Sequence, residues 1–456
     1  MLRRAVIAAL GAAALAAPAA AAPVRGQTLM PGVVYSRQIQ FTGHGPIVLN
    51  VVSTPRPMGL YGLHAALSNG AVQGRERLTD METALARTTT VVGVNGDLFD
   101  ARWGTPSSVL VRDGLVLTGS KGGRSAAGFD AAGALHVDRV ALSGTWKGTG
   151  QYRPLGLNEP PGRSAVTLYT PVWGTTTPPE TGTLELVLAP FPATTPNTTL
   201  SAPIAQIAQG GGQAIPPNGA VLVARGNQVP ILTNEAPAGT TINVRLILTP
   251  RWSDVRDAVG GGPVLVRGGK PVFRPNEAFS TSQLFTRNAR SAVGVTADGR
   301  LLLVTADGGR PGYSLGVTNF ELALALMRLG AVDACALGTG ASAALAFDGK
   351  LLSRPSGDAS VADALFVTYD GVYVPAPAPN AANVTLAYKV VRRSTVTATL
   401  TAPDGSVSTL DAGTKDVGTY TFDRAALTPG KWTFAVSATD DLGRRSTADR
   451  AFTIGS

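Results

Sequence analysis

Short apolar runs separated by turn residues dominate the chain, and most of them follow the period of two expected of half-buried strands. Val91-Val92-Gly93-Val94 reads as a buried strand that feeds a polar break, Asn95-Gly96-Asp97, before Leu98-Phe99. Between Thr-, Pro- and Gly-rich turns, Leu184–Leu188, Val221–Ala224 and Ile242–Leu248 predict a mostly antiparallel β-layer over residues 146–250, as a subdomain or an insertion. Val264–Val266, Ala292–Val295, Leu301–Thr305, Ala334–Leu337 and Ala344–Phe347 predict further strands, and Asp348-Gly349 a hairpin turn. The period changes to that of a helix in two places. Phe320–Leu329 carries Leu322, Leu326 and Leu329 on one face, with Gly330 as its stop. Thr79 and Glu82 have the spacing of a capping box at the start of a second helix that runs to Arg87. The fold class is therefore α+β, mixed and strand-rich. Beyond the stiff segment 375–379 (PAPAP), residues 380–456 alternate cleanly and predict a small all-β sandwich of the immunoglobulin-like kind.

Composition narrows the chemistry. Charged residues are 15% and hydrophobic ones 44%, which excludes a disordered chain. A single Cys excludes an internal disulfide framework and any Cys-based zinc site, and three isolated His leave little for a histidine-ligated metal. There is no serine-hydrolase elbow, no phosphate-binding loop and no dinucleotide fingerprint. Residues 1–22 have a positive start at Arg3 and Arg4, a short apolar run and small residues suited to cleavage, the pattern of a signal peptide. The run is shorter than the roughly 20 residues of a membrane span. The expectation is a secreted or envelope protein with no transmembrane span in its mature form. Removing Arg3 and Arg4 takes the net charge from +9 to +7, and no dense Lys/Arg run suggests nucleic acid. A modest positive charge suits an anionic partner such as a phosphorylated glycan, and it also suits plain solubility.

Several segments, in one order along residues 30–370, resemble the phosphodiester glycosidase family, the uncovering-enzyme-like group. They are Val94–Phe99, Gly260-Gly261-Gly262-Pro263, Arg287–Gly294, Ala306–Ser314, Leu329–Ala334 and Val361–Val367. The C-terminal segment is similar to the immunoglobulin-like domain of the flagellar hook-capping protein. The resemblance implies a domain over 23–374 that hydrolyses a sugar-1-phosphodiester bond. One departure stands out. Where the family continues with an Asn-Leu-Asp-Gly-Gly-Gly strand end, this chain has Ala336-Leu337-Gly338-Thr339-Gly340-Ala341-Ser342. Gly338 stands in the place of the carboxylate and Ala336 in that of the amide.

The implied reaction passes through an oxocarbenium-like state at C1 with negative charge on the departing phosphate. It needs a carboxylate near C1 and a cationic clamp, best made by arginine. On this reading Asp307, at the end of a strand before Gly308-Gly309, supplies the base or electrostatic help at C1, and Arg290 is the phosphate clamp. Arg287 is a further phosphate contact, and Arg310 is either an ion-pair partner of Asp307 or a second phosphate contact. Asn95 and Asp97 orient the sugar or, with Asp100, a cation. Glu277 is the substitute carboxylate for the one missing at Gly338. Thr339, Gly340 and Ser342 line the substrate loop, and Gly260–Gly262 offer amides to an anion. No cofactor is expected, and a divalent cation is left open. The C-terminal sandwich would attach the enzyme to a surface or polymer. The loss at Gly338 and Ala336 motivates the alternative, a catalytically silent glycan-binding envelope protein.

Overall fold

The computed structural model describes residues 26–119, 121–272 and 276–455. The signal-peptide reading at residues 1–22 lies outside the described residues. Among those described, no helix is long and apolar enough to cross a membrane.

Strands dominate, as the period-two pattern predicts. One antiparallel sheet has eight described strands, in the order Gln27–Met30, Val33–Thr42, Gly45–Thr54, Leu301–Ala306, Arg290–Thr296, Ala331–Thr339, Val264–Arg267, Lys270–Pro271. Alternation splits its side chains between two cores. Leu49, Val51, Ala292, Leu302, Val304, Ala334 and Ala336 pack beneath helix Asn319–Arg328. Val52, Val293, Leu301, Leu303, Cys335 and Leu337 face the other way, onto Val92, Val94, Leu345, Leu365 and Val367. The latter belong to a five-stranded sheet ordered Lys350–Leu351, Leu345–Phe347, Thr90–Asn95, Asp363–Tyr369, Tyr61–Leu67.

The region 146–250 departs from the predicted layer. Strands Leu135–Lys147, Arg153–Leu157, Val166–Tyr169, Ala220–Ala224, Leu184–Leu188, Thr199–Gln209 and Thr241–Thr249 form a ring. Gly144–Trp146 pair with Arg153–Leu155 on one side while Ala141–Lys147 pair with Asn243–Thr249 on the other. The ring includes one parallel pair, Gly156–Leu157 with Thr167–Leu168. Its interior holds Trp146, Leu168, Leu186, Leu222, Val244 and Leu246. Closure removes the exposed edges an open layer would carry.

Helix Asn319–Arg328 has a reciprocal capping box. Thr318 Oγ1 accepts from the Glu321 amide at 3.2 Å, and Glu321 Oε2 accepts from the Thr318 amide at 2.9 Å. Gly330, at φ +89°, ends it as expected. The earlier helix, Leu78–Leu85, begins one residue sooner than its capping signal and has no side-chain cap. Glu82 instead turns inward and accepts from the amides of Asp348 and Gly349, at 3.2 and 2.6 Å, bracing the predicted hairpin.

The C-terminal segment is a sandwich, as expected. A four-stranded sheet (Val407–Lys415, Ser394–Thr401, Gly430–Asp440, Arg445–Ile454) lies against the ladder of Val384–Val390 and Gly418–Arg424. Its core also takes in Val372 and Val374, just before the Pro/Ala segment.

Candidate active site

Paired residues on neighbouring strands share a face. In the eight-stranded sheet Arg37 pairs with Asn50, Asn50 with Thr305, and Thr305 with Ser291. This polar row crosses the face turned to the five-stranded sheet, beside an otherwise apolar core. Ser291 Oγ donates to Asn95 Oδ1 at 2.6 Å, and the Ala344 amide donates to the same oxygen at 3.0 Å. Asn95 Nδ2 donates to the carbonyls of Gly338 and Gly96, at 3.2 and 3.3 Å. Asn95 is buried with its amide satisfied on both sides, so it locks the two sheets together and does not reach a sugar.

Gly338 sits in a register shift. Arg290 pairs with Thr339 and Ala292 with Ala336, so Leu337 and Gly338 face Ser291 alone. The shift turns position 338 toward the five-stranded sheet. A Cβ there would meet Asn95 Nδ2 at 2.8 Å, and the carbonyls of Asp97 and Gly96 at 2.8 and 3.0 Å. The site excludes a side chain as well as lacking one.

Beneath it lies a pair of buried carboxylates. The Asp97 amide donates to Asp363 Oδ1 at 2.8 Å, and the Leu98 amide donates to Asp97 Oδ1 at 2.7 Å. Among the described residues Asp363 Oδ2 has no hydrogen-bond partner, and Asp97 Oδ2 lies beside the buried Ser108 side chain. Burial pushes Asp97 up to about 6, against the pull of the Arg124 charge. Burial, and then the neighbouring Asp97 charge, push Asp363 well above the carboxylate range. Two adjacent desolvated carboxyls cannot both ionise cheaply, so at least one holds its proton near neutral pH. Asp100 is elsewhere: it is exposed, and its Oδ1 accepts from the Arg102 and Trp103 amides in a turn. No group of three or more His, Cys, Asp or Glu suited to a metal occurs among the described residues.

Asp307 closes the other end of the polar row. It is 2% exposed. Its Oδ1 accepts from Asn50 Nδ2 at 3.0 Å and from the Arg354 amide at 2.9 Å. Its Oδ2 accepts from the Tyr313 hydroxyl at 2.6 Å. Tyr313 is half-buried and takes a 3.3 Å hydrogen bond from Arg37 Nη2. The guanidinium carbons of Arg37 and Arg354 stand 5.5 and 5.1 Å from its ring centre. Both arginines are exposed, and neither forms an ion pair with a carboxylate among the described residues. Burial first, then the bond to Asp307, raises the Tyr313 hydroxyl above its ordinary value. Arg310 lies on the same rim, its Nη2 donating to the Pro355 carbonyl at 2.9 Å.

The other predicted residues go to different work. Arg290 projects from the opposite face of its strand. Its Nε donates to the Val317 carbonyl at 2.7 Å, and its Nη2 to those of Gln283 and Thr286 at 2.8 and 2.9 Å. Burial lowers it to about 10. It ties short helix Thr281–Phe285 to the sheet and does not share the Asp307 rim, so one cavity holding Arg290, Asp307 and Asn95 is not formed. Arg287 is ion-paired with the capping residue Glu321. Glu277 is also a brace: its oxygens accept from the Ser125 amide and hydroxyl at 2.6 and 2.8 Å and from the Val264 amide at 2.8 Å. The glycine triplet is packed tight, with the Gly262 amide donating to the Ala336 carbonyl at 2.9 Å and a Cβ at Gly260 falling 2.5 Å from Asp97 Oδ2. Thr339 is half-buried, Gly340 turns the chain at φ +77°, and Ser342 Oγ donates to the Thr339 carbonyl at 3.2 Å.

Sequence reasoning missed Asp363, Tyr313, Arg37, Arg354, Asn50 and Ser291. Asp363 could have been noticed as an acid inside the apolar run Val361–Tyr369. Tyr313 and Arg354 sit in loops with no periodicity to mark them.

The architecture and this rim define a strand-rich α+β protein with a polar, cation-flanked site at the edge of two packed sheets. A sequence profile of the phosphodiester glycosidase family matches residues 199–368 of this chain. The SPbeta prophage-derived protein YomE of Bacillus subtilis strain 168 is 29% identical over 116 residues, 25% of this chain and 18% of that protein. A Synechocystis protein shares the fold with a TM-score of 0.64 and 25% identity, over 76% of this chain and 64% of that one. A Burkholderia pseudomallei K96243 protein does so with a TM-score of 0.58 and 23% identity, over 71% and 74%. The chain thus spans less than two thirds of the Bacillus and Synechocystis proteins.

Proposed function

We propose that this protein is a secreted hydrolase of sugar-1-phosphodiester bonds in extracellular or cell-envelope glycans, acting at the rim around Asp307. One observation carries the reading. Two exposed guanidinium groups that form no ion pair among the described residues flank a tyrosine that rests on a buried aspartate. Uncompensated arginines attract a phosphodiester anion and offer it forked donors. The aspartate beneath supplies a base without exposing a second negative charge to that anion. Arg37 and Arg354 replace Arg290 as the clamp in this reading, and Arg310 lies within the same loop cluster. The C-terminal sandwich attaches the enzyme to the polymer or surface it acts on.

The test is release of sugar from glucose 1-(methyl phosphate) by the full mature chain, with Arg37→Met/Arg354→Met as the comparison. Turnover in the wild type that weakens mainly through KM in the double variant is the expected result. A second reading, a glycan-binding protein without catalysis, is favoured by the closed packing around Gly338, which admits no carboxylate. Binding of the same ester with no sugar release would select it.

A further inference from the structure

The Asp307 carboxylate cannot itself meet a substrate. It is buried, Oδ1 is held by two donors, and Oδ2 is covered by the Tyr313 hydroxyl at 2.6 Å. Over it lies the phenol of half-buried Tyr313, with Arg37 Nη2 on its oxygen and Arg354 against its ring. We propose that Tyr313 is the nucleophile of this site and that Asp307 is its base, so that hydrolysis proceeds through a glycosyl-tyrosine with overall retention at C1. The proposal rests on the reading that the protein cleaves sugar-1-phosphodiesters.

The chemistry favours a phenol here. A phosphodiester carries a negative charge next to C1, which repels a carboxylate nucleophile but not a neutral hydroxyl. A hydroxyl becomes a competent nucleophile when a fixed base accepts its proton as the bond forms. Asn50 Nδ2 and the Arg354 amide fix the base on one oxygen and leave the other aimed at the phenol. In the first half-reaction Tyr313 Oη bonds to C1 and its proton passes to Asp307 Oδ2. The C1–O bond to phosphorus breaks, and its electron pair leaves on the phosphate monoester between the two arginines. In the second half-reaction a water oxygen bonds to C1 and the C1–Oη bond breaks. Asp307 returns its proton to the phenol oxygen, and the proton shed by the water goes to solvent. Each displacement inverts C1, so the product keeps the configuration of the substrate.

The experiment uses the full chain and glucose 1-(methyl phosphate), with the anomeric configuration of the first product followed by NMR. The 2-deoxy-2-fluoro analogue of the same ester serves as the trap, and the peptide carrying the adduct is located by mass spectrometry. Retention, an adduct on Tyr313, and a loss of roughly 100-fold or more in kcat for a folded Tyr313→Phe variant support the proposal. Inverted product, an adduct on another residue, or Tyr313→Phe turnover within threefold of wild type overturns it while leaving the hydrolase reading standing. Wild-type protein that releases no sugar overturns both. A thermal melt of Tyr313→Phe confirms folding. If that variant does not fold, stereochemistry and adduct position decide alone.

Discussion

Gly338 is held by distances, and these give the first expectation. A Cβ would come within 2.8–3.0 Å of three polar atoms. Gly338→Ala is expected to lose about 1–3 kcal/mol, as over-packed core substitutions do, read as a lower midpoint in urea. Gly338→Asp is expected to be worse, because it adds a third acid beside Asp97 and Asp363, and it should not raise turnover above that of the wild type. An aspartate variant as stable as wild type would show that the strand end can open. The two buried acids yield a pH effect. Unfolded Asp loses its proton near 3.8, whereas folded Asp97 keeps it to about 6 and burial raises Asp363 well above 3.8. Between those limits the folded state binds more protons, so this pair's contribution to stability is present at low pH and is lost as pH rises through about 6. Asp257, raised to about 6 mainly by burial, adds to the same slope. Asp363→Asn keeps an acceptor for the Asp97 amide and removes one titration. Its thermal midpoint is expected to vary less than that of wild type between pH 4 and 7, and an unchanged slope would contradict the assignment.

At the scale of elements, periodicity located most strands and the helix under the eight-stranded sheet, because one buried face imposes its repeat on the residues. It also located Asp307 at a strand end and Gly330 at a helix stop. It did not distinguish the two arginines of Arg287–Arg290. One pairs with the capping box of Asn319–Arg328, and the other turns under the sheet to hold three carbonyls. Arg287 lies in the loop before the strand and meets Glu321, whereas Arg290 is the strand's first residue and is buried, and the spacing of the two does not reveal that. The capping box makes its own prediction. Thr318→Ala removes an acceptor for the Glu321 amide and is expected to cost about 1 kcal/mol, measured by chemical denaturation. Because Glu321 also holds Arg287, Glu321→Ala should cost more than Thr318→Ala. The reverse order would mean that the ion pair contributes nothing.

For the whole molecule, the sandwich is docked through named contacts. Lys389 Nζ donates to the carbonyls of Ala86 and Thr89, the latter at 2.6 Å. Arg450 donates to the carbonyls of Val374 and Leu29, at 3.0 and 2.8 Å. Lys389→Met/Arg450→Met is therefore expected to split the calorimetric unfolding of the chain into two transitions, with the sandwich melting apart from the rest. A single transition at the wild-type temperature would show that the remaining contacts, among them Arg444 with the Gly59 carbonyl and the Val372 amide with Ser446, couple the two. The closed ring of residues 135–249 also belongs to this scale, since pairing at both sides of Gly144–Trp146 cannot be read from the pattern of any one strand.

The amino-acid sequence by itself determined the strand-rich α+β class, the sandwich at the C-terminal end, the placing of Asp307 at a strand end and the family resemblance. These follow from local alternation, turn residues and short motifs, which act within a few positions of one another. Only the tertiary structure decided that Asn95, Glu277 and Arg290 are braces, that Gly338 is required by close packing, and that Tyr313 with Arg37 and Arg354 covers Asp307. The reason is physical. Whether a polar side chain is consumed by the fold or left for a ligand depends on donors and acceptors hundreds of residues away, and no local pattern encodes those partners.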